Sequence, residues 1–311
     1  MTNAISTPTF LPSAKGRRGA ADKLAATLTG AAAFFILAII AIVIVSIFNG
    51  GKEHFTWEFL TQAPEEGMTK GGIFPAIIGT VYMTLLMSIM AVPLGTITAI
   101  YLSEYASPDS IFARIIRFAV NTLASVPAIV FGLFGLGFFV QFIGKGIDGA
   151  LFGGHLTWGQ PNILWASMTM GFLTLPVVIV SVEEAIRNVP RENREASIAL
   201  GATRLQTIWK IVLPGSISGI LTGMILAVSR GAGEVAPILF TGAAFFLPHT
   251  PHALTDQFMH LGYHIYVLAT QSANVDKTIP LQYTTTMVLL ILTFMLNLSA
   301  VLVRSRLRRN N

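Results

Sequence analysis

The sequence predicts an all-α, polytopic membrane protein with six transmembrane helices, and three observations predict it. Of 311 residues, 53% are hydrophobic and only 11% are charged, whereas a soluble domain carries about 25% charged residues. Six stretches are apolar over the roughly 20 residues that a helix needs to cross the hydrocarbon core. The basic residues are dense in alternate loops and sparse in the others, which is the pattern that sets orientation. The absence of cysteine excludes disulfides, thiolate metal sites and cysteine nucleophiles.

The spans follow in order along the chain. Residues 1–23 are a basic tail of small and polar residues, expected to be disordered. Residues 24–48 form the first transmembrane helix, within a charge-free run from Leu24 to Gly51. That run is too long for a signal-peptide core and no A-x-A site closes it, so an uncleaved helix is expected. The second span lies between Lys70 and Glu104, and the third between Arg117 and Lys145. The fourth runs from about Ile163 to Val182. The fifth covers about Ile217 to Leu247, and the sixth about Thr284 to Val303. Residues 71–303 are thus the expected core, followed by a basic tail at 304–311.

Orientation follows from the charges. Fifteen of the twenty basic residues fall in the two tails, the loop with Arg114 and Arg117, and the loop from about 183 to 215. The opposite side holds Lys52, Lys70, Lys145 and Lys277. The positive-inside rule then puts both termini in the cytoplasm.

The 183–215 loop mixes both charge signs. Pro190 suits a helix start and Gly201 a helix end, so Arg191 to Leu200 reads as a short helix with Glu192 and Glu195 in its first turn. After the Gly201 turn, Leu205, Ile208, Trp209 and Val212 recur at helical spacing until Pro214 ends that segment. A solvated connection between two spans would show the same residue types.

Span five contains Arg230 and Glu234, in Arg230-Gly231-Ala232-Gly233-Glu234. Each charge at mid-membrane costs about 2.5–3.5 kcal/mol on the insertion scale. Four residues apart, they could meet on one helix face, but the glycines and Pro237 favour a local break. The two readings are a self-satisfied packing pair and an anion path in which Arg230 offers forked donors. His260 and His264 stand i, i+4 and could chelate a metal with Asp256 or His252 nearby, but a helical pair lacks the other ligands, so an interfacial helix from about Leu254 to Ala269 is expected instead. No G-x-x-x-x-G-K-[ST] occurs, so no ATP-cradling loop, and no cofactor, is expected.

Glu195-Ala196-Ser197, three residues, Gly201, nine residues, then Ile211-x-Leu213-Pro214 resembles the E-A-A-x3-G-x9-I-x-L-P signature of ABC-importer permeases, departing only at Ser197. The stretches Gly71–Thr80 and Ser229–Thr241 resemble the phosphate permeases of that family, of PstA rather than PstC type. The resemblance covers residue 70 onward. It implies a type I ABC-importer permease fold in a bacterial inner membrane. It implies coupling to an ATPase through Glu195, Ala196, Leu200 and Gly201, and a translocation pathway near Arg230 and Glu234. The implied partners are a PstC-like permease, a PstB-like ATPase dimer and an external phosphate-binding protein, with phosphate as substrate and no nucleic acid. The alternatives are a permease for molybdate or sulfate, and a stand-alone secondary transporter or channel.

Overall fold

The computed structural model describes residues 17–309 except Thr69, Pro108 and Ala273. Most of the tail expected to be disordered lies outside the described residues. Its last part does not fit that expectation, because helix α1 spans Arg17–Gly51. Gly19 to Lys23 contain no helix breaker beyond one glycine, so the apolar helix propagates backward through them. The chain divides into two compact units, Met1–Asn49 and Gly50–Asn311. In the first, the α1 sequence from Leu24 to Phe48 is apolar on every side, as a membrane span requires.

The second unit opens with a short helix α2 (Trp57–Thr61) and a two-strand clip of β1 (Pro64–Glu65) and β2 (Lys70–Gly71). Helix α3 (Phe74–Ile100) then continues through one π turn to Tyr105. Next come α4 (Ile111–Ser125) and α5 (Ala128–Phe134), the latter running on as one helix into α6 (Lys145–Leu151). Helix α7 spans Ile163–Arg187, α8 spans Arg191–Ala199 and α9 spans Arg204–Thr207. The last three are α10 (Leu213–Gly231), α11 (Leu261–Thr270) and α12 (Val275–Arg309). Among the described residues, six helices are long and apolar enough to span a membrane. The protein is a multi-pass, all-α membrane protein.

Several expected boundaries shift, each for a local reason. The third span starts at Ala128 rather than after Arg117. Pro127 has no N–H and forces Val126 into an extended conformation (ψ 131°). The preceding residues form the separate amphipathic helix α4, which buries Ala113 and Val120. The fourth span reaches Arg187, so Glu183 belongs to the helix and the connecting loop begins at Asn188. The fifth span is displaced as a whole, to Arg204–Gly231. Pro214 does not end a segment, because a π turn at Ile208–Val212 re-registers the ladder just before it and the helix continues. The sixth helix is longer than expected at both ends.

Helix α7 is the centre of the unit. It buries Trp165, Met170, Leu173, Val178, Val182 and Ile186 along its length, and α3, α10, α4 and α5 pack around it. Small residues allow the closest approach. Gly215, Gly219 and Gly223 form a stripe on α10 that faces Val189, Ala185 and Ser181 at the end of α7 and just beyond it. Without water to drive association, such close van der Waals contact is what holds neighbouring helices together. At one end of the bundle the Asp148 carboxylate accepts N–H bonds from Thr157, Trp158 and Gly159 (2.9, 2.8 and 2.6 Å). Trp165 donates to the Trp158 carbonyl (2.7 Å) and stacks on Phe139.

A side chain at Gly219 would overlap the Ala185 methyl group. Gly219→Leu should therefore force α10 off α7, at a cost of roughly 1–3 kcal/mol. The measurement is the thermal midpoint of the detergent-solubilised chain, which should fall well below that of the native sequence.

Candidate functional site

The charge pair sits where α10 ends. Gly231 lies against the thioether end of Met87 of α3, which a larger residue would have to displace. Arg230 is in the last turn of α10, where the partial negative charge of the free carbonyls favours a cation. Glu234 follows in the non-helical turn. The Arg230 Nε to Glu234 Oε1 distance is 3.8 Å, with side chains 42% and 29% exposed. That is an ion pair longer than a hydrogen bond. Neither side chain donates or accepts a hydrogen bond among the described residues. The expected local break is present, and the pair meets across it rather than along a helix face. Ser229 donates to Asn297 Oδ1 of α12 (2.7 Å), fixing the neighbouring position.

From Ala232 to His260 the chain is irregular, where the sequence suggested more of span five. This segment is paired with the helices around it. The first N–H groups of α7 find partners there: Asn162 on the Thr241 carbonyl (2.9 Å), Ile163 on Asp256 (2.8 Å) and Leu164 on Leu254 (3.2 Å). The buried Thr80 hydroxyl of α3 accepts the Leu261 N–H (2.9 Å). Free helix-end donors and irregular backbone thus satisfy one another.

The loop with α8 and α9 forms the predicted helix–turn–helix. Pro190 is the N-cap of α8 and Glu192 lies in its first turn. Glu195 lies one residue beyond that turn, so it is not the dipole partner that the sequence suggested. Gly201 has φ +85°. Its N–H reaches the Ile198 carbonyl (2.9 Å), and the Ala202 N–H reaches Ser197 (3.2 Å). These two bonds make the Schellman turn that requires a left-handed residue. Thr203 and Gln206 then form a capping box for α9. Ser197, the one departure from the signature, bonds the Thr207 hydroxyl (2.9 Å) and so ties the two short helices together.

This helix pair is anchored firmly and exposes apolar side chains. Arg194 donates to Glu104 Oε1 (2.9 Å), to the Ile186 carbonyl (2.7 Å) and to Val189. Arg204 stands over the Tyr105 ring and donates to the Glu104 carbonyl. Glu183 takes Arg117 from α4 and Arg187 from its own helix. Leu200 is 90% exposed at the tip, with Ile198, Leu205 and Trp209 also exposed. Leu200 and Ile198 are left uncovered on the connection between the fourth and fifth spans, whereas Leu205 and Trp209 belong to the fifth span itself.

Residues 91–309 match the family described as binding-protein-dependent transport system inner membrane component. The chain belongs to this family. A probable ABC transporter permease protein, YqgI of Bacillus subtilis, is 33% identical over 220 residues, covering 71% of this chain and 70% of that protein. The phosphate transport system permease protein PstA of Xylella fastidiosa (strain Temecula1) is 30% identical over 225 residues, covering 72% and 73%. The protein of the same name in Mycobacterium leprae is 39% identical over 176 residues, which span 57% of this chain and about half (52%) of that relative. Among solved structures, a chain of a bacterial alginate ABC transporter in complex with alginate pentasaccharide-bound periplasmic protein superposes with TM-score 0.62 at 16% identity, covering 96% and 98%. A chain of the inward-facing MetNI methionine ABC transporter gives 0.55 at 18% identity, covering 75% and 94%. These two likenesses establish the type I importer-permease fold.

For this inner-membrane transport component, sequence reasoning treated Arg117 and Glu183 as span boundaries and did not see them as partners. Their only signal was opposite charge on facing ends of two spans. Glu104 was missed for the same reason. The expected helix is shorter, α11 beginning at Leu261, and His260 and His264 are both buried against protein. His260 Nδ1 accepts the Gly262 N–H (3.2 Å), and among the described residues no group of three potential ligands gathers there. Burial lowers their pKa values from 6.5 to about 3 and about 4. Asp256 is held below the usual carboxylate range by the N–H groups of Ala253 and His252.

Because the histidines stay neutral when folded and protonate when unfolded, their contribution is full above pH 6.5 and is lost as pH falls toward 4. The free energy of unfolding should drop over that window by up to roughly 1.4 kcal/mol per pH unit for each histidine, read as a falling thermal midpoint. His264→Gln should flatten the slope, and an unchanged slope would assign the acid sensitivity elsewhere.

Proposed function

We propose that the chain is the PstA-type transmembrane subunit of an ATP-driven importer of inorganic phosphate, in a bacterial inner membrane with both termini cytoplasmic. The observation that carries the reading is the α8–α9 unit, a rigid helix pair that presents Leu200 outward beside Glu195, Ala196 and the left-handed Gly201. A helix of this kind docks into a groove on a partner. That partner is an ATPase dimer, and ATP hydrolysis resides there. The substrate comes from the relatives named for phosphate transport together with Arg230, whose guanidinium fork suits a tetrahedral oxyanion.

The mechanism is alternating access. ATP-driven closure of the ATPase pair displaces α8, and the Arg194 bonds pass that displacement to α7 and to the end of α3. A second, PstC-like permease completes the pathway, and an external phosphate-binding protein delivers the anion. Arg230 offers fixed positive charge along the path. The loose contact with Glu234 leaves its donors available and gives the anion a competitor that eases release. Phosphate drives the change only in so far as it binds the two states differently.

Arg230→Gln should abolish phosphate uptake in cells while membrane insertion and ATPase co-purification persist; normal uptake would reduce Arg230 to packing. Gly201→Asp should release the ATPase, because a side chain at φ +85° is strained by roughly 1–2 kcal/mol and a carboxylate is added at the contact. Phosphate movement by the purified chain alone in liposomes would favour the stand-alone transporter instead. Uptake of molybdate or sulfate in preference to phosphate by the reconstituted complex would change the substrate and keep the class.

A further inference from the structure

A cavity of about 780 Å³ lies between α8, α4 and the last turn of the α3 helix. Six arginines line it: Arg114 and Arg117 from α4, Arg187 from α7, Arg191 and Arg194 from α8, and Arg204 from α9. Two carboxylates, Glu104 and Glu195, share the wall, and Glu183 lies behind Arg117 and Arg187. Six guanidinium groups against three carboxylates leave an excess of three positive charges in one hollow. Glu183 serves two arginines at once and Glu104 serves Arg194. Arg114 and Arg191 have no side-chain partner among the described residues. The groups come from four separate helices, so it is folding that brings these like charges together, at an electrostatic cost that a bound anion relieves.

We propose that this hollow binds a phosphate-bearing anion, at a site separate from the Arg230–Glu234 pair. Arginine forks match phosphate oxygens bidentately, and charge-assisted bonds of this kind are the strong ones. The volume exceeds that of a bare phosphate tetrahedron and admits a phosphodiester headgroup. Helix α4, which supplies Arg114 and Arg117, also exposes Ile111, Phe112, Ile115 and Phe118. A lipid held by its headgroup could lay its chains along that surface, and basic pockets between spans are known to take anionic headgroups. Free phosphate and an anionic lipid headgroup share the chemistry that the arginines recognise. Either one would bridge α4 and α8, and so brace the coupling helix against the transmembrane core. The site goes beyond the transport reading and does not depend on it.

The test uses the full chain in phosphatidylcholine nanodiscs, in an Arg230→Gln background so that translocation-path phosphate does not contribute. One arm measures equilibrium binding of radiolabelled inorganic phosphate. The other measures phosphatidylglycerol retained through exchange into phosphatidylcholine, by mass spectrometry of extracted lipid. Adding Arg114→Gln and Arg191→Gln, which break no internal contact, should weaken one of the two ligands by roughly tenfold or more, as loss of two charge-assisted contacts predicts. Loss in the phosphate arm alone identifies a free anion, and loss in the lipid arm alone a headgroup. Binding of both ligands unchanged by the double substitution, or binding of neither, overturns the site. Should the double variant misfold, phenylglyoxal modification of Arg114 and Arg191 in the otherwise native chain decides the question. Protection by phosphate or phosphatidylglycerol supports the site, and equal modification with and without both ligands overturns it.

Discussion

A backbone N–H or C=O that leaves a helix inside a bilayer must find a partner within the protein, since hydrocarbon offers none. The break after Gly231 is possible only because that condition is met. The chain from Ala232 to His260 gives its carbonyls to the opening turn of α7, and the α3 hydroxyl at Thr80 takes the N–H of Leu261. Close packing accompanies it, with Gly219 and Gly223 of α10 set directly against Ala185 and Ser181 of α7. Disturbing the irregular segment therefore disturbs the start of α7, which is the most deeply packed helix of the unit.

The same break creates the chemistry. A continuous helix through residues 230–234 would present Arg230 and Glu234 to each other as a closed i, i+4 pair. Ending the helix between them opens the contact to 3.8 Å and leaves both groups partly exposed. An arginine with uncommitted donors at the end of a membrane span is a costly feature, and its cost is offset here by position, at a helix C-terminus and next to a carboxylate. At the other end of α10 and α7 the logic reverses: Arg194 is held by Glu104 and by the Ile186 and Val189 carbonyls, and Arg204 by the Glu104 carbonyl and the Tyr105 ring, which ties α8 and α9 to the transmembrane helices.

Six spans and a charged helix–turn–helix were legible because each rests on local physics. Apolar runs of sufficient length are helices in a bilayer, and Pro190 and Gly201 favour particular backbone states through their own covalent structure. Span limits were less legible where a span contained or adjoined polar groups. Glu183 looked like a loop residue because a charge usually ends a span, yet two arginines neutralise it inside α7. The apolar residues after Gly231 looked like more of span five because hydropathy reports burial and not conformation. Pro214 looked like a terminator, because the π turn that accommodates it leaves no mark in composition. His260 and His264 looked like scattered polar groups on a surface helix, although both are buried within the protein.

Composition, periodicity and the spacing from Glu195 to Pro214 were enough to determine an all-α membrane protein, its number of spans and the existence of a short helix pair on its basic side. Those are consequences of bonds and solvation within a few residues of one another. The tertiary structure alone decided which charges meet: Arg117 with Glu183, Arg194 with Glu104, and six arginines around one hollow. Such pairings join residues far apart in the chain, and nothing local favours one partner over another. They exist because α7 packs against its neighbours closely enough to bring those side chains within reach.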